Sequence, residues 1–172
     1  MTERPNYRVN FNDIPEIRIT PEDPENKASF VVRMVHGSDT SLMFAERGPG
    51  YHTKPHYHDS EQINYVMSGD IWFFIDVHGY HCVKGDIMRI PRNKIHWAWN
   101  RANEDCVLIE SHTPPLIGVE GIKDKVMPLL AENEERASIE AIDNIRDPYD
   151  QDEVDEIEAR AIEEEKQRAQ NK

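Results

Sequence analysis

The 172-residue chain has no apolar run approaching the ~20 residues that a helix needs to cross a bilayer. Met1 to Asn10 lack the apolar core of a signal peptide, so the expectation is a cytoplasmic protein with no membrane partner. Cysteine is scarce: Cys82 and Cys106 are the only two, without Cys-x-x-Cys spacing, and in a chain that is not exported they read as free thiols. Positive charge is short as well. Asp and Glu number 33 against 20 Lys and Arg, a net charge of -13, and no cluster of Lys or Arg makes a local exception. Such a surface repels phosphate backbones and anionic lipid, which removes nucleic acid from the partners to consider.

The acid is unevenly placed. Residues 131–172 hold 15 acidic against 6 basic side chains, a net of -9, and residues 1–130 carry the remaining -4. The sequence therefore reads as one globular domain followed by a solvated acidic extension. Residues 1–27 contain Pro5, Pro15, Pro21 and Pro24 among charged residues, a composition that resists helix and central strand and predicts an extended arm. From residue 28 to 118 short runs rich in Val, Ile, Phe, Tyr and Trp alternate with turn residues every ~8–12 positions, an all-β pattern. Strands are predicted over residues 30–35, 41–46, 51–58, 62–67, 71–77, 80–83, 87–90, 96–100 and 107–111. Turns fall at Gly48-Pro49-Gly50, Ser68-Gly69-Asp70, His78-Gly79, Lys84-Gly85-Asp86 and Pro91-Arg92-Asn93. So many short strands favour a small barrel or jelly roll, which limits exposed sheet edges. In the extension, 119–172, helices are predicted over 131–145 and 152–170. The second carries the narrow apolar stripe Val154, Ile157 and Ala161, which suits either a solvated helix or one packed on a partner subunit.

Histidine carries the functional signal. His56 and His58 lie two apart on a predicted strand, so both imidazoles face one side. A turn at Asp59-Ser60 brings Gln62 and its neutral carbonyl oxygen back toward the same point, and His96 opens a later strand. Three imidazoles and one amide oxygen suit one divalent ion, Fe, Mn, Ni, Cu or Zn, with further positions left for water or substrate.

The spacing carries a resemblance. Gly50, His56, His58, Gln62 and Gly69 are similar to the first motif of the cupin superfamily, with Gln62 where the commoner pattern has Glu. Gly85, Pro91, Asn93, His96 and Asn100 resemble the second motif, with Asn93 in place of its usual Gly, a replacement that keeps a left-handed turn accessible. The resemblance covers about residues 40–113. It implies a cupin jelly-roll barrel of double-stranded β-helix type, with a metal ion held by His56, His58, Gln62 and His96, and a homodimer, to which the arm could add a strand.

Gln62 departs from the pattern in a way that bears on chemistry. An amide neither lowers the charge of the centre nor serves as a base, which shifts weight from oxygen chemistry toward isomerisation, cyclisation, dehydration or decarboxylation. The functional expectation is a metal-dependent enzyme on a small organic substrate that chelates the ion through a carbonyl or enol oxygen, first of dioxygenase type. A non-catalytic ligand-binding barrel, or a regulatory module docking through its acidic tail, is the alternative.

Other residues have two readings each. Glu61 faces the opposite side from Gln62 unless a register shift makes it the fourth ligand. His52, Glu110 and His112 are candidate catalytic groups by strand parity, against rim positions without a role. Trp97 and Trp99 should face away from the metal toward another sheet or subunit; Trp72 and Phe74 share one face, lumenal or not. His36, His78 and His81 read as solvated, and Arg47, Lys54, Arg89 and Arg92 as scattered cations, any of which could anchor a substrate carboxylate.

Overall fold

The computed structural model describes residues 7–19, 28–116, 123–131, 134, 145–146 and 149–171. Its strands are β1 (Ile17–Arg18), β2 (Phe30–His36), β3 (Ser41–Arg47), β4 (His56–Tyr57), β5 (Glu61–Ser68), β6 (Asp70–Ile75), β7 (His78–Val83), β8 (Ile87–Ile90), β9 (His96–Trp99), β10 (Cys106–Thr113), β11 (Met127–Pro128) and β12 (Ile145–Arg146), followed by helix α1 (Gln151–Gln170). One sheet runs β1-β2-β3-β10-β5-β8, with β11 parallel to β2, and the other runs β12-β4-β9-β6-β7. The fold is the double-stranded β-helix implied by the motifs.

Strand alternation decides what lies between the sheets. Met43, Ala45 and Arg47 of β3, Gln62, Asn64 and Val66 of β5, and Cys106, Leu108, Glu110 and His112 of β10 are all buried, each two residues from the next. Register aligns them in rows, with Glu110 opposite Met43 and Asn64, and His112 opposite Ser41 and Gln62. Ile71 and Phe73 of β6 and Ala98 of β9 complete the apolar interior from the other sheet. Cys82 and Cys106 are buried free thiols, and burial pushes both up to about 12.

The second sheet is covered on its outer face by α1. Val154, Ile157 and Ala161 pack on Trp72, Phe74 and Trp97 in a second apolar cluster. Asp150 starts the helix with a capping box: Glu153 N donates to its Oδ1 at 2.9 Å, and Asp150 N donates back to Glu153 Oε2 at 3.3 Å. Burial of Val154 and Ile157 is worth about 1.5–3 kcal/mol each. Gly79 allows the close approach, because a Cβ there would stand 2.4 Å from Ala161 Cβ and 2.9 Å from Phe74 Cε1.

Several expectations are corrected. The helix is seated on its own barrel, neither solvated nor waiting for a partner, and Trp72 and Phe74 therefore face α1, away from the lumen. The arm contributes β1 to β2 of its own chain. The strand expected over 51–58 shrinks to β4 and an isolated bridge between His52 and Trp99, since Pro55 removes a donor between them. His78 and Gly79 belong to β7, and the preceding turn is made at Asp76, with φ of 50°. His36 is buried and donates from Nδ1 to Gly37 O. Most of the helix expected over 131–145 lies outside the described residues, and Ile145, at its end, is paired in β12. Among the described residues no helix is long and apolar enough to cross a membrane.

Candidate metal centre

His56 and His96 are direct register partners across β4 and β9, and His58 follows β4 by one residue. The turn that delivers His96 uses Asn93 at φ of 58°, with Asn93 N donating to His58 O at 2.9 Å, so the residue in the usual Gly position ties both motifs together. The ligating atoms of His56, His58 and His96 lie within 4.8 Å of one another.

Each imidazole is oriented by the main chain. Nδ1 of His56 donates to Lys54 O at 2.8 Å, that of His58 to Ser60 O at 2.9 Å, and that of His96 to Lys94 O at 2.8 Å. Because a carbonyl only accepts, Nδ1 carries the proton in all three, and the Nε2 lone pair is left to bind. Burial lowers the pKa of His56 to about 4, lowers that of His58, and lowers that of His96 well below its ordinary value; the neighbouring imidazoles push His56 and His96 the same way. Neutral rings with inward lone pairs are the protonation state that a divalent ion requires, and the set fits such an ion.

Gln62 Oε1 stands 3.2 Å from His58 Nε2. Its Nε2 donates to Asn64 Oδ1 at 2.8 Å and to Glu110 Oε2 at 3.0 Å, and Arg47 Nη2 donates to Glu110 Oε1 at 2.5 Å. Glu110 is 1% exposed; burial raises its pKa and the Arg47 guanidinium opposes that shift. Arg47 lies against the Phe30 and Tyr51 rings, 5.5 and 4.9 Å from their centroids.

The three histidines, Gln62, Glu110, Arg47 and Tyr51 line a cavity of about 160 Å³ whose remaining wall includes Phe30, Met34, Met43, Phe73 and Leu116. His112 lines it too, its ring 5.8 Å from that of His58, and burial lowers its pKa to about 3. His112 Nδ1, Asn64 Nδ2 and Arg47 Nε and Nη1 have no hydrogen-bond partner among the described residues.

Two candidates are placed elsewhere. His52 is on the helix side, where its Nε2 and Trp97 Nε1 meet Glu158 Oε1 at 2.7 and 2.8 Å. Glu61 is paired with Arg89 Nε at 2.8 Å on the exposed face of β5. Asn64 is the member of this hydrogen-bonded network that sequence reading passed over, and Arg47 is one of the four cations among which it made no choice. The available signal was parity, since Arg47 continues the inward series Met43 and Ala45.

The family model for the cupin domain matches residues 43–112. Among solved structures, the chain is similar to an RmlC-like cupin from Shewanella frigidimarina, at 16% identity over 62% of this chain and 88% of that one, with a TM-score of 0.51. It is also similar to the polyketide cyclase RemF from Streptomyces resistomycificus, at 20% identity over 62% and 78%, with a TM-score of 0.50. No curated protein sequence matches it. At these identities the likeness is one of fold.

Proposed function

We propose, from the cupin-domain match over residues 43–112, a metal-dependent enzyme of the cupin superfamily acting on a small organic molecule that chelates the ion through a carbonyl or enol oxygen. The observation that carries this reading is the convergence of three imidazoles whose ligating atoms lie within 4.8 Å of one another. His56, His58 and His96 would hold the ion, with Gln62 Oε1 as fourth donor. A divalent ion there supplies Lewis acidity against negative charge developing on a substrate oxygen.

The chain's own residues do the rest. The cavity of about 160 Å³ is close to the ~150 Å³ that admits benzene in an engineered core, so the substrate has the size of one ring or a short branched chain. Phe30, Met34, Met43 and Leu116 exclude water from the body of that molecule. His112 lines the same space with its Nδ1 unpartnered among the described residues and is the group we assign to hydrogen-bond and orient the substrate; with a pKa lowered to about 3 it stays neutral and is a weak base. Both Glu110 oxygens are already engaged, by Arg47 and by Gln62, which leaves it a poor candidate for that task.

The first reading of the chemistry is a dioxygenase-type oxidoreductase. Gln62 favours a second: four neutral donors leave the full charge of the ion in place, which strengthens a Lewis acid and disfavours a higher oxidation state, as an isomerase, cyclase or decarboxylase would use. Elemental analysis of protein purified without added metal or chelator, followed by oxygen uptake with diketones and catechol-like compounds, separates them. Near-stoichiometric Fe, Ni, Mn or Cu with oxygen uptake supports the first, and zinc without uptake supports the second. Protein that retains no metal overturns the proposal and leaves a ligand-binding barrel.

A further inference from the structure

Gln62 differs from the three histidines in how it is aimed. Main-chain oxygens within two residues orient each imidazole, whereas among the described residues the Gln62 amide nitrogen is held by side chains: Asn64, two residues along the same strand β5, and Glu110 on β10. The two ends of an amide are nearly equal in shape and opposite in chemistry. The carbonyl oxygen can ligate a cation, and the NH2 group cannot. Whatever sets the amide's orientation therefore sets whether the fourth donor exists.

We infer that Arg47 and Glu110 are positioning residues for the metal centre, acting through Gln62 to keep its carbonyl oxygen toward the imidazoles. The inference rests on the metal-centre reading above. Both N–H groups of Gln62 Nε2 are taken by acceptors, Asn64 Oδ1 at 2.8 Å and Glu110 Oε2 at 3.0 Å. Turning the amide over would set its oxygen against those two acceptor oxygens and withdraw that oxygen from the imidazoles, where only the carbonyl end can ligate an ion. Arg47 fixes the carboxylate that enforces this: its Nη2 donates to Glu110 Oε1, and its guanidinium lies against the Phe30 and Tyr51 rings. The whole assembly is buried, with Arg47 5%, Gln62 4%, Asn64 0% and Glu110 1% exposed, so water is a poor substitute for any member.

Glu110→Gln inverts the relay with almost no change of shape. The new amide must turn its oxygen to Arg47 Nη2, which leaves its NH2 facing the NH2 of Gln62, donor against donor. The conflict is relieved when Gln62 turns over and withdraws its carbonyl oxygen from the centre. Exchanging the two groups, in Q62E/E110Q, removes the conflict. The amide at position 110 accepts from Arg47 and donates to one oxygen of the carboxylate at position 62, whose second oxygen faces the imidazoles. Asn64 can then turn over as well, giving its presently unpartnered Nδ2 an acceptor.

The test uses full-length wild type, E110Q and Q62E/E110Q, stripped with a chelator and titrated with Co2+ against a chromophoric competitor, with thermal melts and the Co2+ visible spectrum recorded alongside. The expected result is a loss of about 10–100-fold in Co2+ affinity in E110Q with an altered spectrum, and a return to wild-type affinity or tighter in the double variant. A merely structural role for Glu110 would move the melt and leave this reciprocal pattern absent. E110Q at wild-type affinity, or a double variant as weak as E110Q, overturns the relay. Should E110Q not fold, a double variant that binds Co2+ at least as tightly as wild type supports the relay, and one that binds about 10-fold or more weakly overturns it. A wild type that takes up no Co2+ overturns the metal centre and the relay with it, whereas a wild type that binds while E110Q equals it overturns the relay alone.

Discussion

Replacing Gly79 by alanine tests whether α1 is a fixed part of the barrel wall. Gly79 has an ordinary backbone conformation, so the substitution acts through contact alone. Its new Cβ would meet Ala161 Cβ at 2.4 Å and Phe74 Cε1 at 2.9 Å. Carbon pairs settle near 3.5–4.0 Å, so the helix must lift by about 1 Å or the Phe74 ring must turn from its stack on Trp97. Overpacking of this kind costs about 1–3 kcal/mol. Ala161→Gly alone should cost about 1 kcal/mol in helix propensity and roughly 0.8 kcal/mol for the buried methyl. In the double variant the worse of the two clashes is gone, so the changes should sum to less than their parts by at least about 1 kcal/mol. Urea unfolding followed by tryptophan fluorescence reads this directly, since Trp72 and Trp97 lie beneath the helix. Strict additivity of the two substitutions would show that α1 is not seated on Gly79 and would refute the packing account.

Three further outcomes are expected. His58→Ala and His96→Ala should each abolish metal retention, by elemental analysis, while circular dichroism keeps the barrel signature; full occupancy in both would sink the ligand assignment. The metal-free protein should lose stability on acidification. The folded state holds its inward imidazoles neutral, His56 down to about 4 and His112 to about 3, while the unfolded chain takes up protons near 6.5. Unfolding free energy is therefore full above that value and falls below it, by up to about 1.4 kcal/mol per pH unit for each imidazole until its folded pKa is reached. A flat urea midpoint between pH 7 and 5 would contradict this. Truncation after Pro148 should expose Trp72, Phe74 and Trp97, raising dye binding to apolar surface and lowering the melting temperature; a truncated barrel as stable as the full chain would show that the helix contributes no packing.

The convergence of the three histidines was legible because strand parity and motif spacing are local. His56 and His58 share a face by the two-residue repeat, and Asn93 adopts the left-handed turn its position demanded. Glu61 obeyed the same parity and faces Arg89. His52 did not, because the chain between it and β4 is not a regular strand. What local reading could not supply was long-range partnership. Arg47 looked like one scattered cation among four, and only the pairing of β3 with β10 brings it to Glu110, 63 residues away. The stripe on α1 was visible, but its receiver was not, since Trp72, Phe74 and Trp97 alternate like any strand residues, and nothing local says that the sheet is buried on both faces.

The main-chain bonds that aim the three imidazoles have a bearing on how this protein can change over time. A substitution in the cavity wall cannot delete a backbone oxygen, so Met34, Met43 and Leu116 are free to vary, and with them the molecule the cavity admits, while the histidine geometry persists. Gln62 has no such insulation. The barrel thus separates a heritable histidine cluster, the proposed ion holder, from an adaptable wall, and the seam between them runs through one amide.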